Sequence, residues 1–269
     1  MRELRVLLFE EPENPYMNLA FEEALARARG AGLVPDTFRI WRNAKAVVIG
    51  YFQLAREEVD LESARREKAA VVRRFTGGGA VYHDLGNINY TLAVKAEGSD
   101  AVEYAYSHLL KGLINALKLL GLEARVENVN DVVVSGRKVS GSAASFRWGT
   151  CFVHGTLLID ADLEAMSRLL KPPAEKLKGK GVPSVKHRVA NLSQVLGRKP
   201  SYREVVEALV QGFGELLKAE AYFDLPSREE LEAAKLLYER KYSRDEWNLQ
   251  RVPHSAFDVE SELEEILQA

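Results

Sequence analysis

The sequence predicts an α+β fold, a mixed, largely antiparallel sheet flanked by helices. Two observations lead to it. Short apolar runs dominate the first 160 residues, whereas apolar positions at helical spacing dominate the last 70. The stretches between successive runs are mostly too short for a parallel crossover, which takes about a dozen residues. No linker or internal repeat divides the chain, and 269 residues suffice to bury a proper core.

Taken in order, residues 4–9 form a short apolar strand. Asn18 is expected to cap a helix running to about Arg29. Residues 38–41 and 46–51 read as strands around the turn Arg42-Asn43-Ala44-Lys45. Residues 57–68 read as a charged surface helix. Residues 71–75, 79–83 and 88–94 extend the sheet. Tyr106, Leu109, Leu110, Leu113, Ile114, Leu117 and Leu120 recur at three- and four-residue steps, so they form the buried face of a helix that Gly121 closes. Residues 132–134 and 138–140 flank Ser135-Gly136 and form a hairpin. Residues 152–159 are a strand, and 163–170 a short helix stopped by Pro172-Pro173. Residues 172–200, rich in Lys, Gly and Pro, read mostly as loop. Capping boxes at Ser201/Glu204 and Ser227/Glu230 open two further helices, the second ending near Tyr242. The acidic tail from Ala256 carries Leu263, Ile266 and Leu267 at helical spacing, a frayed surface helix or a docking element for a partner.

Composition excludes several functions. At 46% hydrophobic and 28% charged, with net charge −2, the chain is an ordinary globular one and has no excess charge for bulk nucleic-acid binding. It contains no apolar run long enough to span a membrane. The opening MRELRVLLFEEP is not a signal peptide. The single cysteine, Cys151, cannot form an internal disulfide or a cysteine-rich metal site, which fits a reducing cytoplasm.

Residues 73–89, RRFTGGGAVYHDLGNIN, carry the densest signal. Three consecutive glycines weaken a strand, and such a run marks a place where another molecule lies against the main chain. With Arg73 and Arg74 beside it, that molecule is expected to be an anion. The run lacks the lysine of a Walker loop and the strand-to-helix setting of a dinucleotide fingerprint. Arginine and strand N–H groups would therefore hold the anion. A second segment runs from Asn130-Asp131 through Lys138 to Gly141-Ser142, and its small residues leave room around the lysine. A third is His154-Gly155-Thr156, placed at a strand end.

These segments, in this order, resemble the lipoate–protein ligase A family. Its RRxxGGGAVxHDxGN is matched by residues 73–87, its NDxxxxGRKxSGSA by 130–143 and its HGTLL by 154–158. Val182-Pro183-Ser184-Val185 and Arg188-Val189-Ala190-Asn191-Leu192 resemble its later SVxxRVxNL. Agreement covers roughly residues 4–250. The resemblance implies the biotin/lipoate ligase fold, related to class II aminoacyl-tRNA synthetases. It implies that lipoate (or octanoate) and ATP give lipoyl-AMP and pyrophosphate, and that the lipoyl group passes to a lysine of a lipoyl domain. Such domains belong to 2-oxoacid dehydrogenase complexes or to the glycine-cleavage H protein.

Carried over residue by residue, Lys138 matches the family's essential lysine and Arg74 its adenylate-binding arginine. Gly77, Gly78, Gly79, Ala80, Val81 and Tyr82 match its nucleotide- and acyl-contacting stretch. Arg73, His83, Asn130, Asp131, His154 and Thr156 are further candidates, His83 and His154 as bases for the transfer step. Asp131 would either help to hold Mg²⁺ or pair with Lys138. The resemblance puts the catalytic domain at 1–250 and a tail at 251–269. An accessory C-terminal domain found in many bacterial members is missing, which points to a separate accessory subunit. Three rivals stand beside this reading. One is an octanoyl or lipoyl transferase using Cys151, which lies in an apolar strand pattern. Another is a biotin ligase, whose GRGRxGR loop has no counterpart here. The third is a non-catalytic subunit that binds lipoyl-AMP or lipoyl domains.

Overall fold

The computed structural model describes residues 2–95, 101–171 and 188–268. Its strands are β1 (Arg2–Leu7), β2 (Thr37–Trp41), β3 (Lys45–Ile49), β4 (Ala70–Arg73), β5 (Val81–Asp84), β6 (Asn87–Lys95), β7 (Ala124–Glu127), β8 (Asp131–Val134), β9 (Arg137–Arg147), β10 (Thr150–Leu158) and β11 (Ala219–Asp224). Eight of them form one sheet in the order β11-β1-β2-β6-β10-β9-β8-β7. β1 pairs in parallel with β2 and β11, and the other pairs of this sheet are antiparallel. A second sheet holds β4, β3 and β5 in that order.

Helix α1 (Pro15–Ala31) covers one face of the large sheet. Its cap is Asn14, whose side chain accepts from Met17 N; Asn18 lies inside the helix, fully buried. Pro15 at the first helical position is pre-set for that role. The expected helix over 57–68 is two short ones, α2 (Ala55–Glu58) and α3 (Leu61–Arg66). They are parted where Val59 extends to bridge Leu170 and Asp60 caps the second through Ser63 N. The stripe from Tyr106 to Leu120 runs through a π-helical turn (Ala105–Leu109) and α5 (Lys111–Leu119), preceded by the single turn α4 (Ala101–Tyr104). Gly121 follows at φ 80°. The hairpin turn holds Ser135 at φ 49° and Gly136 at φ 75°, the paired left-handed residues of a type I′ turn.

Helix α6 (Leu163–Leu169) follows β10, and Pro172-Pro173 lie outside the described residues. What is described of the expected loop includes α7 (Leu192–Leu196), opened by a capping box of Asn191 and Gln194. α8 (Tyr202–Leu217) is capped by Ser201 alone, because Glu204 turns to Arg198. α9 (Arg228–Leu237) carries the full Ser227/Glu230 box and continues into a π-helical turn (Tyr238–Tyr242). α10 (Asp245–Asn248) and α11 (Glu260–Ile266) come last.

Strand alternation sorts the side chains into three cores. Ile40, Tyr90, Val153 and Leu157 point to α5 and α8. Trp41, Val48 and Ala93 point to α1, α9 and the C-terminal segment. Val47, Ile49 and Tyr82 point to α3 and α6. The last segment is clasped to α1. Leu263 is fully buried, and Arg27 bonds Glu260 at 2.8 and 2.9 Å. A buried ionic knot lies beneath this clasp. Glu23 accepts from Lys241 at 2.6 Å, Tyr242 at 2.8 Å and Arg27 at 3.1 Å.

Burial alone would raise the Glu23 pKa. Lys241, Arg27 and His254 outweigh that and bring it to about 2. A carboxyl depressed in the fold stabilises it above its unfolded value of about 4.3, and that stabilisation fades as pH falls toward 2. Glu23→Gln is therefore expected to lose about 3–5 kcal/mol at pH 7, because it leaves Lys241 buried without its partner. Thermal melts from pH 7 to pH 2 should fall more steeply for the wild type than for this variant; equal slopes would refute the role given to Glu23.

Candidate active site

A cleft opens between the α1 face of the large sheet and the small sheet. Its floor is one row of residues paired across five strands. Trp41 stands opposite Asn89, Asn89 opposite Thr156, Thr156 opposite Gly141, and Gly141 opposite Asp131. Four strand spacings give about 19 Å from the tryptophan end to the aspartate end. Val48, Val81 and His83 of the small sheet form the facing wall, with Leu19 of α1.

Lys138 stands at one end of this row. Its Nζ is 2.6 Å from Asp131 Oδ1. A Cβ on Gly141 would stand 2.7 Å from that nitrogen, so the glycine is the space in which the lysine stem lies. The lysine's backbone is braced by the later motif: Val189 forms a bridge with Lys138, and Ala190 N donates to Lys138 O at 2.8 Å. Val182–Val185 of the same motif lie outside the described residues. Lys138 and Gly79 line the same cleft, so the second segment and the glycine run do meet. Asn130 also lines it, with its side-chain amide donating to Ser142 O and its carbonyl accepting from Ser142.

The glycine run is shaped first by its own chain. Gly78 sits at φ 86°, which favours glycine, and a Cβ on Gly50 would collide with Gly78 O at 2.1 Å. Two ribbons of backbone thus touch directly. A Cβ on Gly79 would meet nothing within 4 Å, and one on Gly77 would meet only Phe52 near that limit, so both keep the open side that a second molecule requires.

The two adjacent arginines part company. Arg73 is fully buried away from the cleft and donates to the carbonyls of Gly50, Tyr51, Gln53, Trp247 and Asn248. It pins the small sheet to α10, and an anion cannot reach it. Arg74 lines the cleft, but its fork does not stand open as expected. Nη2 donates to Gly77 O at 2.6 Å and Gly79 O at 2.8 Å, and Nε to Thr76 Oγ1. Burial lowers its pKa to about 10, and among the described residues no carboxylate pairs with it. The cleft therefore carries a buried cation that an incoming anion would neutralise.

Tyr82 fails as a side-chain contact. On a strand whose Val81 and His83 face the cleft, it points the other way into the third core, where burial raises its pKa. Ala80 and Val81 do line the cleft. His154 lies within β10 rather than at its end. Its Nδ1 donates to Glu22 at 2.9 Å, and its Nε2 accepts from Thr76 Oγ1 at 2.7 Å. Burial lowers its pKa, and both nitrogens are engaged, so it is a poor base. His83 Nδ1 meets Asn43 Nδ2 at 3.1 Å, and burial with Arg74 and His154 lowers its pKa to about 3. Thr156 lines the floor, with Oγ1 at 3.5 Å from Gly141 O.

Sequence reasoning missed Leu19, Trp41, Val48 and Asn89. Each is set in the cleft by strand register or helix packing, and of the four only Asn89 falls in a segment singled out above, at the last position of residues 73–89.

The chain is similar to known proteins. Residues 14–214 match the lipoyl protein ligase A/B catalytic domain model. The chain belongs to that family. It is 37% identical over 255 residues to lipoate-protein ligase A subunit 1 of Thermoplasma acidophilum, covering 91% of this chain and 96% of the relative. It is 32% identical to octanoyltransferase LipM of Brevibacillus brevis, covering 90% and 97%.

Among solved structures, a Thermoplasma acidophilum bi-partite lipoate protein ligase, described with its E2 lipoyl domain, superposes at TM-score 0.85 and 36% identity, covering 94% and 98%. A lipoate-protein ligase A bound with ATP gives 0.85 and 34%, covering 94% and 100%. A Thermoplasma acidophilum protein with bound lipoic acid gives 0.83 and 34%, covering 93% and 99%. The fold is thus that of the lipoate ligases, as the sequence implied.

Gly141→Ala tests the lysine's berth. Because the added Cβ meets the mobile end of a side chain, the fold should survive with stability changed by less than about 1 kcal/mol. Activity should drop at least about tenfold as the ammonium is displaced. Unchanged activity would show that the lysine's placement is unimportant.

Proposed function

We propose that this chain uses ATP to activate lipoate or octanoate as the acyl-adenylate and then passes the acyl group to a lysine of a lipoyl domain. The observation that carries this reading is the polarity of the cleft. Lys138 stands at the Asp131 end, the uncompensated Arg74 lies along the wall with Nη1 donating to Val48 O, and Leu19, Trp41, Val48 and Val81 supply the apolar lining of the same cleft. Such a cleft suits a molecule with an anionic head and an alkyl tail. The relatives solved with ATP and with lipoic acid support the same pair of substrates.

Adenylation brings a carboxylate against the α-phosphate. At about 4 Å, two unit charges repel by roughly 1 kcal/mol in bulk water and more in a protein cleft. The Lys138 ammonium, placed between them, turns that repulsion into attraction and stabilises charge that grows in the transition state. It must first loosen its grip on Asp131. Arg74 supplies the counter-charge from the wall while holding the glycine loop in shape. Mg²⁺ belongs to the nucleotide in this reading. Among the described residues no group of three or more metal-ligating side chains exists, and Asp131 is already paired with Lys138. The ion would arrive on the phosphates with their water, and Asp131 is the oxygen donor this chain would offer it.

The tail gains by burial. About seven carbons at roughly 0.8 kcal/mol each give a gross gain near 5 kcal/mol, much of it offset by association costs. The acceptor lysine then attacks the mixed anhydride. The Thermoplasma relative is one subunit of a bi-partite ligase described with an E2 lipoyl domain. We take a lipoyl domain of a 2-oxoacid dehydrogenase or glycine-cleavage complex as acceptor, and a separate accessory subunit as partner. No described helix is long and apolar enough to cross a membrane, and we place the reaction in the cytoplasm.

The transferase reading rests on the LipM likeness and meets an obstacle at Cys151. That thiol is buried, donates to Ala101 O at 3.1 Å, and is pushed by burial up to about 11. A nucleophile needs the thiolate, so this site is inert.

Lipoate-dependent exchange of label between pyrophosphate and ATP is the deciding assay, run with and without the accessory subunit. Exchange should require the acid. Lys138→Arg should cut it at least about a hundredfold, since a planar fork fits a point-charge site poorly. Wild-type rates in that variant would remove the bridging role. Cys151→Ala should keep full activity, and its loss would restore the transferase.

A further inference from the structure

The far end of the cleft holds a polar group with no partner. His83 is 4% exposed and lines the cleft, and its ring centroid is 6.0 Å from that of Trp41. Its protonation is fixed by a chain of amides. Asn18 Nδ2 donates to Asn43 Oδ1 at 2.9 Å, which turns the Asn43 amide nitrogen toward His83 Nδ1. Asn43 therefore donates, His83 Nδ1 accepts, and the proton of the neutral ring sits on Nε2. That N–H is buried and has no hydrogen-bond partner. A buried donor left unmatched is uncommon in a folded protein and calls for an explanation. Trp41 carries no acceptor atom for it: its indole Nε1–H is itself a donor, bonded to Thr91 Oγ1 at 3.1 Å. Asn89, opposite Trp41 on the floor, likewise has an unpartnered side-chain nitrogen, its Nδ2.

Two buried donors in an otherwise apolar slot ask for an acceptor near the end of the chain that enters it. Lipoate and octanoate share eight carbons and differ in the two ring sulfurs toward the tail end. The divalent sulfurs of that ring, joined as a cyclic disulfide, are weak hydrogen-bond acceptors, as a thioether sulfur is, and polarisable neighbours for an aromatic ring. An alkyl terminus offers nothing to an N–H. We propose that His83, through Nε2–H, reads the sulfur end of the acyl chain and gives lipoate its preference over octanoate. This rests on the acyl-activating reading given above. It assigns His83 the part of a specificity determinant in place of the base role that its sequence position suggested. Sites that pair a polar group with a substrate atom reject the analogue lacking it, since the donor is then stranded. With sulfur as the weak partner, the discrimination should be modest.

Calorimetric titration of the full chain with each acid tests this directly. The wild type should bind lipoate about tenfold more tightly than octanoate. His83→Leu should bring the two affinities within about twofold, lipoate weakening and octanoate tightening as the stranded donor is removed. His83→Gln, which can present an N–H from a similar length, should retain a preference above about threefold, with thermal melts reporting that both variants fold. If His83→Leu leaves the ratio within twofold of the wild type, or if both acids weaken in proportion, the assignment is wrong. If the wild type binds neither acid, the failure lies with the acyl-activating reading itself.

Discussion

The Glu22 carboxylate holds the site together. It is fully buried in α1 and receives Arg39 and Thr91 from the sheet, and His154 from the cleft floor. From His154 the chain of bonds continues to Thr76, from Thr76 to Arg74, and from Arg74 to the carbonyls of the glycine loop. Helix, sheet and loop are thus joined by one polar thread through an apolar interior. A buried charge is tolerated only when its bonds are complete, and this one has at least three donors. The thread also explains why His154 is locked: a ring with both nitrogens in use positions its neighbours and has no free lone pair for chemistry.

Much of the candidate site is legible in the sequence because its residues are local. Lys138, Gly141 and Ser142 lie within five residues, and the space that small residues leave around a lysine can be read from spacing alone. Agreement across several ordered motifs carries the family. Sequence reasoning fails where neighbours along the chain part in space. Arg73 and Arg74 look alike on paper, yet strand alternation sends one into a nest of carbonyls and the other to the cleft. Tyr82 falls between two cleft residues for the same reason.

The fold is legible where apolar periodicity is strong and opaque where edges are polar. β7 and β11 are exposed edge strands whose sequences, ARVE and AEAYFD, carry little apolar alternation, and neither is foreseen. The division into two sheets is equally hidden, since β3, β4 and β5 look like any other short strands and only their pairing sets them apart. Trp41 and Asn89 enter the cleft through cross-strand register, which links positions 48 residues apart.

The contact between Gly50 and Gly78 has a consequence for how this enzyme can change over evolutionary time. Backbone against backbone leaves no side chain to enlarge, shrink or recharge, so selection has almost no variants to work with along that ribbon. Diversification toward other acyl chains must come from residues whose side chains line the cleft, at Leu19, Trp41, Val48 and Val81, where ordinary substitutions alter depth and width. The ribbon is frozen and the side-chain lining is free to drift, an arrangement that keeps the activation chemistry constant while the choice of acid wanders.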